Sequence, residues 1–245
     1  LAENFLFNIL QNETDFFLRV AAIDSLANCG SNSKVCDIIM EMIYDVNDEL
    51  KIIFLKTVYA IAQRISYNIE LPTDLRYVAH LAISDNNPDV YSAGLLALGN
   101  SFKKADIPFI INIVFRNEPH IQQYILQTLL INSEIEAIEE FVRQFFLKYD
   151  LTDTENLDFL SYIIPVSEDA PLNKVQSLIK ALIKNIIIQK PVYWTTLIQY
   201  CLEISYKYTV GELLKHFEIS DTTDRTFLEQ IFEKFDINPE LMGNE

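Results

Sequence analysis

One arrangement of apolar and polar positions recurs along the first 150 residues. It is clearest in NPDVYSAGLLALGNS, Asn87 to Ser101. Asn87 suits an N-cap, and Pro88 suits the first helical position, where its missing N–H costs nothing. Val90, Ala93, Gly94, Ala97 and Leu98 then fall at the i, i+3, i+4, i+7, i+8 spacing of one helix face. Gly94 and Gly99 each forfeit about 1 kcal/mol of helix propensity against alanine, a penalty that a neighbour pressed against the backbone explains. The same phase returns in DFFLRVAAIDSLAN, where Leu18, Ala21, Ala22, Leu26, Ala27 and Asn28 match Val90, Ala93, Gly94, Leu98, Gly99 and Asn100. It returns with Leu50 in DELKIIFLKTVYA and with Ile121 in PHIQQYILQTLLI. The starts Leu18, Leu50, Val90 and Ile121 are 32, 40 and 31 residues apart. Periods in this range signal stacked helical hairpins.

A second helix is predicted after each of these first helices. Its stripes are Val35, Ile38, Ile39, Met42; Leu75, Val78, Ala79, Ala82; Ile107, Ile110, Ile111, Val114; and a looser Ile135, Ile138, Val142, Phe145 interrupted by Glu139. Beyond residue 150 the repeat fades. TENLDFLSYIIPV, NKVQSLIKALIKNIII, PVYWTTLIQYCLEISYKY, VGELLKHF and RTFLEQIFEKF still read as five amphipathic helices punctuated by Thr152, Pro171 and Pro191. They are taken as two degenerate hairpins and a capping helix.

The first helices resemble HEAT-like repeats, whose familiar form has an acid, an aliphatic–Arg pair, a small residue and Leu-Gly. Here these are Asp15, Leu18-Arg19, Ala22 and Leu26-Ala27, then Asp89, Val90, Gly94 and Leu98-Gly99, with Tyr91 in the Arg position. The other two first helices keep only the apolar skeleton. The resemblance spans residues 13–147. It implies an all-α superhelix, a solenoid of HEAT-like hairpins, and a protein-binding role. With the degenerate part, 151–245, the whole of 1–245 is read as one solenoid. HEAT-like repeats also occur in bilin lyases and DNA glycosylases, so the resemblance fixes no activity.

Charge narrows the partners. The net charge is −16, with 20 acids against 11 bases in residues 1–150 and 15 against 8 in 151–245. The excess is spread evenly, and no basic stripe suits a phosphate backbone, so nucleic acid is excluded. A cationic protein partner fits better. No apolar run reaches the roughly 18 residues of a membrane span. Cys29, Cys36 and Cys201 match no metal-site spacing and are read as buried thiols in a cytoplasmic setting. The sequence opens on Leu1 rather than Met, which reads as a processed or trimmed chain.

Chemistry is sparse. His80, His120 and His216 are the only histidines, and no HExxH, Gly-rich phosphate loop or GxSxG is present. Glu212 with His216, Glu136 with Glu140, and Glu229 with Glu233 share helix faces and read as solvated pairs. Asp74, Asp106 and Glu134 stand at the starts of second helices, where a carboxylate complements unpaired N–H groups. The late aromatics Tyr193, Trp194, Tyr200, Tyr206 and Tyr208 lack the basic companions of a base-stacking platform and read as packing. No catalytic, metal or cofactor site is expected.

The positions opposite the second-helix stripes are more informative. They are Asp37, Met40, Tyr44; Tyr77, His80, Ser84; Phe109, Asn112, Arg116; and Ala137, Glu140, Gln144. The resemblance places second helices on the concave face. Tyr and Arg are enriched at binding hot spots. Tyr44, Tyr77, His80, Phe109, Asn112, Arg116 and Glu140 are therefore the expected partner-binding residues of a non-enzymatic scaffold, with Tyr77, Phe109 and Arg116 as a ridge. The alternatives are an acidic inhibitor or immunity-type protein that neutralises a basic toxin, and a HEAT-like bilin lyase using a groove carboxylate or Tyr77.

Overall fold

A computed structural model describes residues 2–29, 32–43, 46–64, 73–98, 102–114, 119–148 and 159–238. The described residues form thirteen α-helices and no strand. They are α1 (Ala2–Asn12), α2 (Phe16–Cys29), α3 (Asn32–Met42), α4 (Asp48–Arg64), α5 (Thr73–Ile83), α6 (Pro88–Ala97), α7 (Ile107–Val114), α8 (Pro119–Gln127), α9 (Ile135–Lys148), α10 (Ile163–Glu168), α11 (Leu172–Gln189), α12 (Trp194–Ile219) and α13 (Thr222–Lys234). The chain is all-α, and it divides into two compact units, Leu1–Phe102 and Lys103–Glu245.

In the first unit the repeat shows in the caps. Asp15 Oδ1 accepts the Leu18 N–H at 3.0 Å, and Asn47 Oδ1 accepts the Leu50 N–H at 3.1 Å. Asn87 Oδ1 accepts the Asp89 N–H at 3.0 Å, with Pro88 at the first helical position. Each cap stands three residues before Leu18, Leu50 or Val90, so each helix start satisfies an otherwise orphaned donor in the same way. The Asn87 amide also reaches Asp48 Oδ2 at 3.3 Å, tying the start of α6 to that of α4. Within this unit α2 packs on α4 and α4 on α6, while α3 packs on α5.

Gly94 marks the tightest approach. A β-carbon there would lie 2.8 Å from Ala82 Cβ, 3.0 Å from the Ala79 carbonyl oxygen and 3.0 Å from the Ile83 nitrogen. The backbones of α5 and α6 touch at this point, as the helix-interior glycine implies. Gly99 lies outside the described residues. Leu18 departs from the repeat. Val90, Leu50 and Ile121 are buried, whereas Leu18 is 50 % exposed. α2 is the first member of its layer, and the flank with Phe17, Leu18 and Ala21 remains open. α1, which precedes the repeat match, buries Phe7 and Leu10 and packs on α2.

In the second unit the same alternation holds. α7, α9, α11 and α13 contact one another in succession, and α8, α10 and α12 do likewise. The centre is apolar, with Phe141, Phe145 and Phe159 in mutual ring contact. Buried polar groups close the helix ends. Gln122 Nε2 donates to the Val114 carbonyl at 2.8 Å where α7 stops. Asp106 is fully buried and accepts the Lys103 N–H at 2.7 Å in the 3₁₀ turn ahead of α7. Glu134 caps α9 through its carbonyl, which accepts from Ala137 and Ile138. The Asp74 side chain lies outside the described residues.

α12 differs from expectation. The sequence suggests a helix ending at Tyr208 and another starting at Val210. Two helical stretches do meet within Trp194–Ile219, but the division falls at Ser205 (φ −160°, ψ 96°), ahead of the expected boundary. Thr209 is fully buried, and its Oγ1 donates to the Cys201 carbonyl at 2.8 Å, spanning the interruption. With no proline or exposed cap between 208 and 210, nothing ends the helix there. Trp194 packs edge-on to Phe227 at 5.5 Å, whereas Tyr206, also read as packing, is 51 % exposed.

Candidate functional site

The second helices of each unit carry a cleft, and the two clefts are distinct. In the first unit α5 is flanked by α3 and α6, so only a narrow strip stays in solvent. Tyr77 is 54 % and Leu81 42 % exposed, one helical turn apart. Beside Leu81 lies a groove of about 300 Å³ lined by Ile43, Val78, Leu81 and Ala82, with Lys51 and Asp85 as its polar members. Lys51 is held by Asp48 at 3.2 Å. His80, expected on the outward strip, is buried: it sits on a flank that the neighbouring helices cover. Tyr44 lies outside the described residues, as do Arg116 and the Met40 side chain.

In the second unit Phe109 on α7 is half-buried, and Asn112 is exposed. Asn112 Oδ1 accepts from Lys148 Nζ at 2.9 Å, clasping α7 to α9. Ala137, also expected to face outward, is fully buried. The covered face of α9 runs through Ala137, Phe141 and Phe146 as well as the expected stripe, because α7 and α11 both pack on it. Glu140 is where the sequence places it, on the cleft side. Its carboxylate is only 10 % exposed. Arg143 Nε donates to Oε2 at 2.9 Å, Arg143 Nη2 bonds Oε1, and Gln144 Nε2 adds a bond at 2.8 Å. The Arg143 bond holds the carboxyl below its ordinary value against the opposing effect of burial, and the Lys104 charge adds to the lowering.

Glu140 lines a cleft of about 590 Å³ between α9 and α11. Glu136, Glu139, Glu140 and Arg143 form one wall, and Lys180, Lys184, Asn185 and Ile188 the other, with Lys104 at the edge. Among the described residues no ion pair joins the walls. α11 carries Lys174, Lys180 and Lys184 and no acid, in a chain of net charge −16. Lys174 is engaged with the Ile131 carbonyl at 2.7 Å, leaving Lys180 and Lys184 to the cleft.

Glu212 was expected to pair with His216 at the surface. It is instead buried and accepts from Lys215 Nζ at 2.6 Å. Lys215 also lies over the Tyr208 ring, 5.9 Å from its centroid. Burial, and then the Glu212 charge, raise the Tyr208 hydroxyl. Burial lowers His216, Lys184 and Lys180 adding to the effect while Glu212 and Asp224 oppose it. The Cys201 thiol is pushed up to about 12 by burial, which leaves it inert at neutral pH. The Cys29 and Cys36 side chains lie outside the described residues. No cluster of metal-ligating side chains occurs among the described residues, and no described helix is long and apolar enough to cross a membrane.

Of the positions expected to face outward, Tyr77 is exposed and Glu140 lines the second cleft, while Leu81, Lys180 and Lys184 line clefts without having been singled out from the sequence. The lysines were legible as an i, i+4 pair on an acid-free helix; charge averaged over the half-chain hides them. In comparisons with known proteins, no family model matches this chain, and no curated protein matches it.

Proposed function

We propose that this chain is a non-enzymatic binding module built from HEAT-like helical hairpins, and that it holds a protein partner on the exposed strip of its second helices. One observation carries the reading: Tyr77 and Leu81, large and exposed, stand one turn apart beside the groove that Ile43, Val78 and Ala82 line. An aromatic anchor beside an apolar recess with a polar edge is how interface hot spots are built. The net charge of −16 favours a cationic partner, which it steers electrostatically. A cytoplasmic setting belongs to the same reading, supported by cysteines without metal or disulfide spacing.

Alanine substitution separates binding from folding. Tyr77→Ala and Leu81→Ala remove side chains that face solvent, so melting temperature stays close to the parent. Affinity for the captured partner falls roughly thirtyfold for Tyr77→Ala, the effect of losing about 2 kcal/mol at a hot spot. Calorimetric titration with the partner, alongside thermal melts, checks both. Unchanged affinity with a lowered melting temperature would mean that the strip is structural.

A further inference from the structure

We infer that the α9–α11 cleft of the second unit is a separate binding site for a polypeptide segment that carries acidic and basic side chains together. Its walls have opposite sign: Glu136 and Glu139 on α9, Lys180 and Lys184 on α11. Arg143 neutralises Glu140, so the acids left for a ligand are Glu136 and Glu139. Among the described residues the facing rows do not pair with each other. A segment lying in the cleft satisfies both rows, presenting carboxylates to the lysines and ammonium or guanidinium groups to the glutamates. Each wall also rejects the wrong orientation by like-charge contact, which fixes the register of the segment.

Other occupants fit less well. Small-molecule sites are lined mainly by apolar and aromatic side chains, whereas Ala181 and Ile188 are the apolar members here. A phosphate backbone or anionic membrane would gain the lysines but meet Glu136 and Glu139. The inference does not rest on Tyr77 or Leu81, which belong to the first unit, so the two readings stand or fall separately.

The test uses the full chain and a synthetic helical peptide with glutamates along one face and lysines along the other. Binding is followed by fluorescence anisotropy at about 50 mM salt, where screening is weak. Lys180→Glu with Lys184→Glu should weaken binding at least about tenfold, the loss of 1.4 kcal/mol or more. Lys207→Glu with Lys234→Glu makes the same change in net charge away from the cleft and should alter binding less than about twofold. Exchanging the walls, by adding Glu136→Lys and Glu139→Lys to the first pair, restores the parental net charge and should restore binding. Circular dichroism verifies that each variant is folded. The inference is overturned if the peptide does not bind the parent, if the cleft pair and the control pair behave alike, or if a folded wall-exchanged protein fails to recover binding.

Discussion

Gly94 and Gly211 both stand inside helices, yet their surroundings are opposite. A β-carbon at Gly94 would meet Ala82 and the α5 backbone at 2.8–3.0 Å, atoms that cannot swing aside. At Gly211 nothing lies within 4 Å of that position. Gly94→Ala therefore gains about 1 kcal/mol of helix propensity but loses more to overpacking, for a net destabilisation of about 1 kcal/mol or more. Gly211→Ala keeps the propensity gain and stabilises by about 0.5–1 kcal/mol. Urea denaturation midpoints of the two variants check both signs, and a neutral Gly94→Ala would sink the close-contact account. Gly94 was legible because it falls in phase with Val90 and Ala97 on an apolar face. Gly211 was read into the first turn of a helix beginning at Val210, since a helical glycine and a boundary glycine look alike without their surroundings.

Among the elements, α12 shows how an interrupted helix keeps its buried backbone satisfied. The Thr209 hydroxyl donates to the Cys201 carbonyl at 2.8 Å across the break at Ser205, tying the two stretches together. Thr209→Val preserves shape but removes this fully buried bond, and it should cost about 1–3 kcal/mol. Thr209→Ser retains the bond and should recover most of this loss; equal stability of the valine and serine variants in thermal melts would contradict the role. The helices themselves were largely readable, because the caps at Asp15 and Asn87 and the apolar spacing agree. α1 was not, because it lies ahead of the first repeat match. The break at Ser205 carries no Gly or Pro to announce it. His80 and Ala137 were assigned to the outer face because a single-stripe reading treats the opposite side as solvent. Second helices covered on both flanks leave a narrower strip, such as that of Tyr77, Leu81 and Ser84.

For the molecule as a whole, charge is the property that bears most on the proposed partner. The net charge of −16 and its even spread between the halves were legible. The lysine wall of α11 was not, since folding places Lys180 and Lys184 opposite acids distant in sequence. The exposure of Tyr77 was readable from helix phase alone, whereas that of Leu81 was lost between stripe and strip. The central claim is that the exposed strip of the second helices holds a protein partner. The most direct measurement places a photocrosslinking amino acid at Tyr77, and separately at Lys56, an exposed position on the first helix α4. Irradiation in the native extract should yield one discrete adduct from position 77 that Leu81→Ala suppresses, and none from position 56. Equal, diffuse crosslinking from both positions, or a position-77 adduct indifferent to Leu81→Ala, would contradict the account.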